Sequence, residues 1–337
     1  MGNKETLAIL ATAVATMAAS AHAGKLEDVR AAGELACGVS EGVPGFSNPN
    51  SEGVWTGLDA DICRAVAAAT LGDANAVRFV PLASKQKVLA VSSGQVDMTS
   101  RTTTWTMKRD SAEGVDFTSV VYYDGQGFMV RADAGVTSAK ELDAATVCLT
   151  TGTTTELNMA DFARANGLTL EPVVFEGKRE AVEAYASGRC DALTTDASQL
   201  AAFRAGFANP SDHKILPEII SKEPLAPFVA HGDNQWKDVV TWVVYGLITA
   251  EELGVTQANV ADMAASSANP DVQRLLGASG DTGGLLGLSN TWMADAISAI
   301  GNYGEIYERN LTATLGLERG VNALWSDGGI LYAMPVR

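Results

Sequence analysis

Histidine is scarce in this chain: three in 337 residues, at positions 22, 213 and 231. His213 and His231 lie far from any cysteine in the sequence, which argues against a zinc site. No C-x-x-C pair, Walker loop or dinucleotide fingerprint occurs, so redox-motif, P-loop and Rossmann chemistry have no sequence support. Positive charge is also in short supply, with 24 Lys and Arg against 40 Asp and Glu and a formal net charge of −16. That balance argues against nucleic acid or an anionic membrane as partner, since both are held through basic patches. Long apolar runs are missing too; none reaches the roughly 18 residues that a membrane span requires. A G-x-S-x-G match at 38–42 lacks the helix that a nucleophile elbow needs, because Val43, Pro44, Gly45 and Phe46 follow it.

What is present fits a globular protein of two or three domains' length with substantial cores, at 47% hydrophobic and 19% charged residues. Lys4, an Ala-rich apolar run over 7–19 and the A-x-A pattern of Ala21, His22 and Ala23 predict a signal peptide over 1–23, hence an exported chain. No cysteine follows the cleavage pattern directly, so a lipid anchor is not expected. Export makes Cys37, Cys63, Cys148 and Cys190 candidates for two disulfides. Three connectivities are open to four cysteines and the sequence does not choose among them. If the chain has two lobes, local pairing of Cys37 with Cys63 and Cys148 with Cys190 is simplest, closing loops of 26 and 42 residues. Each closure is worth roughly 3 to 4 kcal/mol in the chain-entropy view.

From Gly33 the pattern alternates strand and helix, as parallel α/β sheets do. Strands are expected over 35–39, 78–81, 96–99, 125–131, 146–149, 173–175, 191–194 and 228–230. Asp59 is expected to cap the first long helix, and the pairs Ser138/Glu141 and Thr153/Glu156 read as capping boxes. Residues 93–99 and 187–194 echo one another: Ser-Gly, two residues, Asp, then a short strand ending in threonine. Beyond Gln235 the chain reads as mostly helical, with Trp236, Val239, Val240, Val243 and Val244 at helical spacing. The order is lobe, inserted lobe, return to the first lobe and a helical tail.

The chemistry concentrates in residues 97–117, where two arginines, five threonines and a tryptophan follow a short strand. Guanidinium forks and clustered hydroxyls suit a small carboxylate, although the same residues also read as an exposed polar turn. Ligands of open α/β sheets bind beyond the carboxyl ends of the strands. Polar loops at such ends are 40–46, 101–109, 150–155 and 195–196. If two lobes face each other, these loops offer a cationic fork, a helix N-terminus with threonine hydroxyls, and the carboxylate of Asp196, a set complementary to a zwitterion. Asp196 reads equally as the N-cap of the next helix.

The segments CGVSEGVPGFS, GLDADICRAVAAATLGD, SRTTTWTMKRD, YYDGQGFMV, GTTTELN, GRCDALTTD and SKEPLAPFVAHGD, in this order, resemble the periplasmic polar amino-acid binding proteins of ABC importers, solute-binding family 3. The likeness spans nearly the whole chain after residue 23 and points to the general L-amino-acid and glutamate/glutamine/aspartate/asparagine binders of Gram-negative bacteria. It implies an α/β, two-lobed type II periplasmic binding-protein fold, each lobe a mostly parallel sheet flanked by helices, with a helical C-terminal extension. The expected lobes are 24–128 with 227–337, and an inserted 129–226. It also implies a monomeric periplasmic receptor with no cofactor and no catalytic residue, delivering an L-amino acid to a permease. On that resemblance Thr104 and Arg109 hold the α-carboxylate and Thr102 adds a backbone contact. Thr154, flanked by Thr150 and Thr155, adds a donor, and Asp196 takes the α-ammonium. Ser40, Glu41 and Phe46 would contribute specificity, with Arg101 reading an acidic or amide side chain. Glu41 departs from the glutamine common at this place in such binders, which weakens the expectation of a preference for acidic side chains. A dehydratase-like enzyme on the same fold and a ligand sensor are the rival readings.

Overall fold

The computed structural model describes residues 24–337; the signal peptide expected over 1–23 lies outside the described residues. Leu35–Val39 is buried at every position and forms the axis of the first sheet. Val77–Pro81 and Met98–Thr99 flank it in parallel, and Phe228–Ala230 and Val115–Phe117 complete five strands in antiparallel sense. A second five-stranded sheet repeats this order. Thr146–Thr150 lies between Glu171–Phe175 and Ala192–Asp196 in parallel, followed by antiparallel Gln126–Arg131 and His213–Ile215. Each sheet with its helices is one lobe.

The echo between residues 93–99 and 187–194 has a shared structural cause. Gly94 (φ 75°) and Gly188 (φ 81°) end their helices in the left-handed region that favours glycine. Asp97 then accepts from the Ala36 amide at 2.8 Å, and Asp191 from the Thr146 amide at 2.9 Å. In both lobes this aspartate fastens the third strand to the start of the first.

The chain crosses between lobes through a two-stranded antiparallel ribbon, Tyr122–Asp124 with Glu223–Leu225, in which Glu223 lies opposite Asp124. The C-terminal extension braces this ribbon. The Asn322 side chain accepts from the Tyr123 amide at 2.7 Å and donates to its carbonyl at 3.0 Å, and Arg319 pairs with Glu251 at 2.9 Å. The first lobe carries the larger core, in which the helix Leu58–Leu71 is enclosed by Asn234–Glu252, Trp292–Ile300 and Tyr303–Tyr307. Trp236, Val239, Val240, Val243 and Val244 all face it, as their spacing predicts. The second lobe has only two smaller clusters, one around Phe128, Leu149 and Met159 and one around Met129, Tyr185 and Leu193. Cys37 pairs with Cys63 in the first lobe and Cys148 with Cys190 in the second, with Cα separations of 6.2 and 5.7 Å.

Three expected caps differ. The first long helix begins at Leu58 with Gly57 as its N-cap (φ 120°), so Asp59 sits inside the first turn. A Cβ at Gly57 would stand 2.2 Å from the Phe46 carbonyl oxygen, and this close approach fixes the start two residues earlier. Ser138 accepts from Lys140 but caps only a 3₁₀ turn, Ala139–Glu141. At the helix Thr155–Asn166 the Thr153 hydroxyl accepts from the Thr155 amide at 3.2 Å and donates to the Thr150 carbonyl at 2.7 Å, so it fixes the loop instead of closing a box with Glu156.

Candidate functional site

The carboxyl ends of both sets of parallel strands face each other across a closed cleft. Gly152 (φ 72°) lies against the Lys85 backbone, Lys85 pairs with Glu176 at 2.9 Å, and the Lys178 ammonium donates to the Thr102 hydroxyl at 3.1 Å. All three contacts join one lobe to the other. Between the lobes lies a small polar void of about 20 Å³.

Among the residues expected at the site, Arg101, Thr102, Thr104 and Arg109 from the first lobe and Thr154, Thr155 and Asp196 from the second line this void. Arg109 follows the N-cap Thr106, whose hydroxyl accepts from the Arg109 amide. Its guanidinium donates to the Thr104 carbonyl at 2.8 Å, which leaves its remaining N–H groups for the void. Burial lowers the Arg109 pKa, partly offset by Glu113, Glu223 and Asp196. Asp196 ends its strand as N-cap of Ala197–Ala205 without accepting from that helix's backbone; its carboxylate accepts from the Gln199 amide side chain instead. Burial raises the Asp196 pKa, reinforced by Asp124 and Glu223. A group that brings positive charge, as an ammonium does, holds such a buried carboxylate ionised.

Four expected residues stand elsewhere. Phe46 is core: it is 1% exposed and packs edge-on against Tyr122 at 5.5 Å. Its ring is drawn inward because the 40–47 loop folds back on itself, with the Ser47 hydroxyl accepting from the Ser40 amide at 3.1 Å and Val43 bridging Ser47. Ser40 is buried beneath the site, its hydroxyl reaching toward the Arg101 carbonyl. Glu41 is exposed, close enough to act electrostatically on Arg101. Thr150 serves the loop through its carbonyl.

Sequence reasoning missed the residue that ties the cleft together. Glu223, 1% exposed on the hinge ribbon, accepts from the hydroxyls of Thr104 in the first lobe and Thr154 in the second. It also accepts from Asn158 at 2.6 Å and Ser221 at 2.7 Å. The two hydroxyls expected on a ligand carboxylate are thus held by a carboxylate of the protein. The available signal was an acid between Lys222 and Pro224 in the segment returning to the first lobe. Lys87 and Lys178 were missed as well, since each reads locally as a solvated helix residue. Ser84, Thr153, Thr195 and Gln199 complete the lining.

Behind Arg101 stands Asp59, which accepts from the Ser100 hydroxyl at 2.8 Å; burial pushes its carboxyl up to about 6. Burial likewise pulls Arg101 down to about 10, countered by Asp59 and Glu41.

The family profile of the bacterial extracellular solute-binding proteins, family 3, matches residues 35–310. The chain belongs to that family. Over 325 residues it is 51% identical to the glutamate/glutamine/aspartate/asparagine-binding protein BztA of Rhodobacter capsulatus, covering 96% of each chain. It is 52% identical to the general L-amino acid-binding periplasmic protein AapJ of Rhizobium johnstonii, covering 100% of both. A periplasmic binding protein of an ABC transporter from Brucella ovis, solved with glutathione bound, superposes with a TM-score of 0.91 at 52% identity, over 94% of this chain and 100% of that one. All three are named as binding proteins. The two-lobed fold implied by the sequence is the fold of this family and of this chain, and the last 27 residues, 311–337, extend beyond the matched segment.

Proposed function

We propose that the protein is the periplasmic receptor of an ABC importer for L-amino acids, binding its ligand between the lobes and presenting it to the permease. The observation that carries this reading is the opposition of Arg109 and Asp196 across one closed void, a cation from the first lobe facing a carboxylate from the second. An α-carboxylate on Arg109 and an α-ammonium on Asp196 would satisfy both. Glutathione, the molecule bound by the Brucella ovis relative, carries the same α-amino-acid head at its γ-glutamyl end. Two charge-assisted pairs at roughly 1.5 to 3 kcal/mol each supply about half of the about 8 kcal/mol that micromolar affinity needs, and exclusion of water on closure strengthens them further.

In this reading Thr102, Thr104, Thr154 and Thr155 shape the head-group side, and Arg101 faces the ligand's side chain. The lobes divide at the ribbon, near Asp124 and Glu223. That is a few residues before the division at 128, because Gln126–Arg131 pairs along its length in the second sheet. The chain is proposed to act as a monomer, to carry no catalytic role and to reach the periplasm through residues 1–23. Calorimetric titration of the purified protein with the twenty amino acids tests the reading. Saturable one-to-one binding of a subset is expected, whereas silence toward all twenty overturns it and turnover of a bound ligand would establish the enzymatic rival. Arg101→Ala should change the ranking of ligands; equal loss across all of them would assign Arg101 to the head group.

A further inference from the structure

The charge lining the cleft exceeds what an α-amino-acid head can neutralise. Four cations line the void, Lys87, Arg101, Arg109 and Lys178, against one carboxylate, Asp196. A zwitterionic head uses one of each: its carboxylate takes Arg109 and its ammonium takes Asp196. Three cations are left over. Lys87 is the sharpest case. It is 4% exposed, and among the described residues its ammonium has no hydrogen bond and no ion pair. Arg101 is 2% exposed and its Nε is buried without a partner. Lys178 reaches across from the second lobe and, among the described residues, is held only by the hydroxyl of Thr102, whose backbone lies in the left-handed region at φ 49°.

A buried charge without a partner is costly, and burying several like charges together is more so. The acidic groups nearby relieve this cluster only in part. Asp59 lies behind Arg101 and is engaged by Ser100. Glu223 is turned to Thr104, Thr154, Asn158 and Ser221. Glu41 is outside on the surface. Resting on the amino-acid reading, we infer that Lys87, Arg101 and Lys178 form a second anion subsite which selects amino acids whose side chain carries a carboxylate over the corresponding amides. The exposed Glu41, taken from the sequence as a sign against acidic ligands, is outweighed by the buried Lys87 and the half-buried Lys178, which the sequence did not place. Electrostatics agree. Burial drives the Lys87 pKa down and its three cationic neighbours drive it further, with only Asp196 opposing; a second ligand carboxylate supplies the missing countercharge.

The test is titration of the full chain with L-glutamate, L-glutamine, L-aspartate and L-asparagine, repeated on Lys87→Met and Lys178→Met. We expect each acid to bind about tenfold or more tightly than its amide, as a charge-assisted pair in place of a neutral one implies. Each substitution should cut that ratio by about tenfold. Melting of the ligand-free variants separates a binding role from a structural one: removing an unpaired buried cation should not lower Tm, while the Tm rise induced by glutamate shrinks. Amide and acid binding equally to the unmodified protein overturns the subsite and leaves the amino-acid reading standing. So does an unchanged acid-to-amide ratio in both folded variants. Binding of none of the four while other amino acids bind overturns the subsite alone, and silence toward all twenty overturns it together with the reading on which it rests.

Discussion

The two lobes share strand order, the glycine–aspartate fastening of the third strand and one internal disulfide each, yet they bring opposite chemistry to the cleft. The first lobe brings Arg101, Arg109 and Lys87; the second brings Asp196 and the threonine loop, with Lys178 the exception. They also differ in how they are held. The first lobe is fastened by a large core and a C-terminal extension that reaches the hinge, while the second relies on two small clusters. A repeated topology thus fixes where strand ends point but leaves their side chains free to diverge. A site for a ligand with two signs of charge arises from opposing the two unlike sets.

The largest expected effect tests the difference in how the lobes are held. Cys148→Ser with Cys190→Ser should destabilise the protein by about 4 kcal/mol, and Cys37→Ser with Cys63→Ser by about 3.5 kcal/mol, following loops of 42 and 26 residues. Denaturant unfolding reads both. If the first-lobe pair proves the more damaging, the smaller core is not the one in need of its staple. Next, Arg109→Ala should weaken every amino-acid ligand by about a hundredfold, since it removes a charge-assisted partner common to all. Retained affinity in calorimetry for any ligand would move the head group elsewhere.

Glu223→Gln tests the link between the lobes. It removes charge from an acceptor shared by Thr104, Thr154 and Asn158 and should weaken ligand binding by about tenfold. Solution scattering of the ligand-free protein should then report a more open form; an unchanged profile and affinity would reduce Glu223 to local packing. The last comparison is in pH. Burial raises Asp59 and Asp124 to about 6 from 3.8. The folded protein therefore binds protons at a pH where the unfolded chain does not. Each group should contribute roughly 2 kcal/mol over this range, so stability should rise as pH falls from about 6.5 toward 4 and be lost again as pH rises through 6. Asp59→Asn should flatten part of that slope in a Tm series, and no change in slope would place the titration on other groups.

Much of the fold was legible because its signals are periodic and local. Leu35–Val39 and Phe228–Ala230 fall where alternation and proline punctuation put them, and the Trp236–Val244 spacing gave the buried face of its helix. Arg109 and Asp196 were placed at the cleft because polar segments follow the carboxyl ends of their strands, Arg109 in the short helix after Met98–Thr99 and Asp196 as the last residue of its own strand. Phe46 was misread for the opposite reason. An aromatic in a Gly- and Pro-rich loop looks available to a ligand, and only the fold-back of that loop onto the Leu58 helix turns it into the core.

The sequence by itself determined the alternation of strands and helices, the repeated lobe, and the polar segments from which most cleft-lining residues come. These follow from hydrophobic period and backbone preference, which act over a few residues. The tertiary structure alone decided the charge balance of the cleft. Glu223 meets Thr104 across 119 positions of chain and Lys178 meets Thr102 across 76. No local pattern encodes which side chains converge when two lobes close, because that depends on the packing of both.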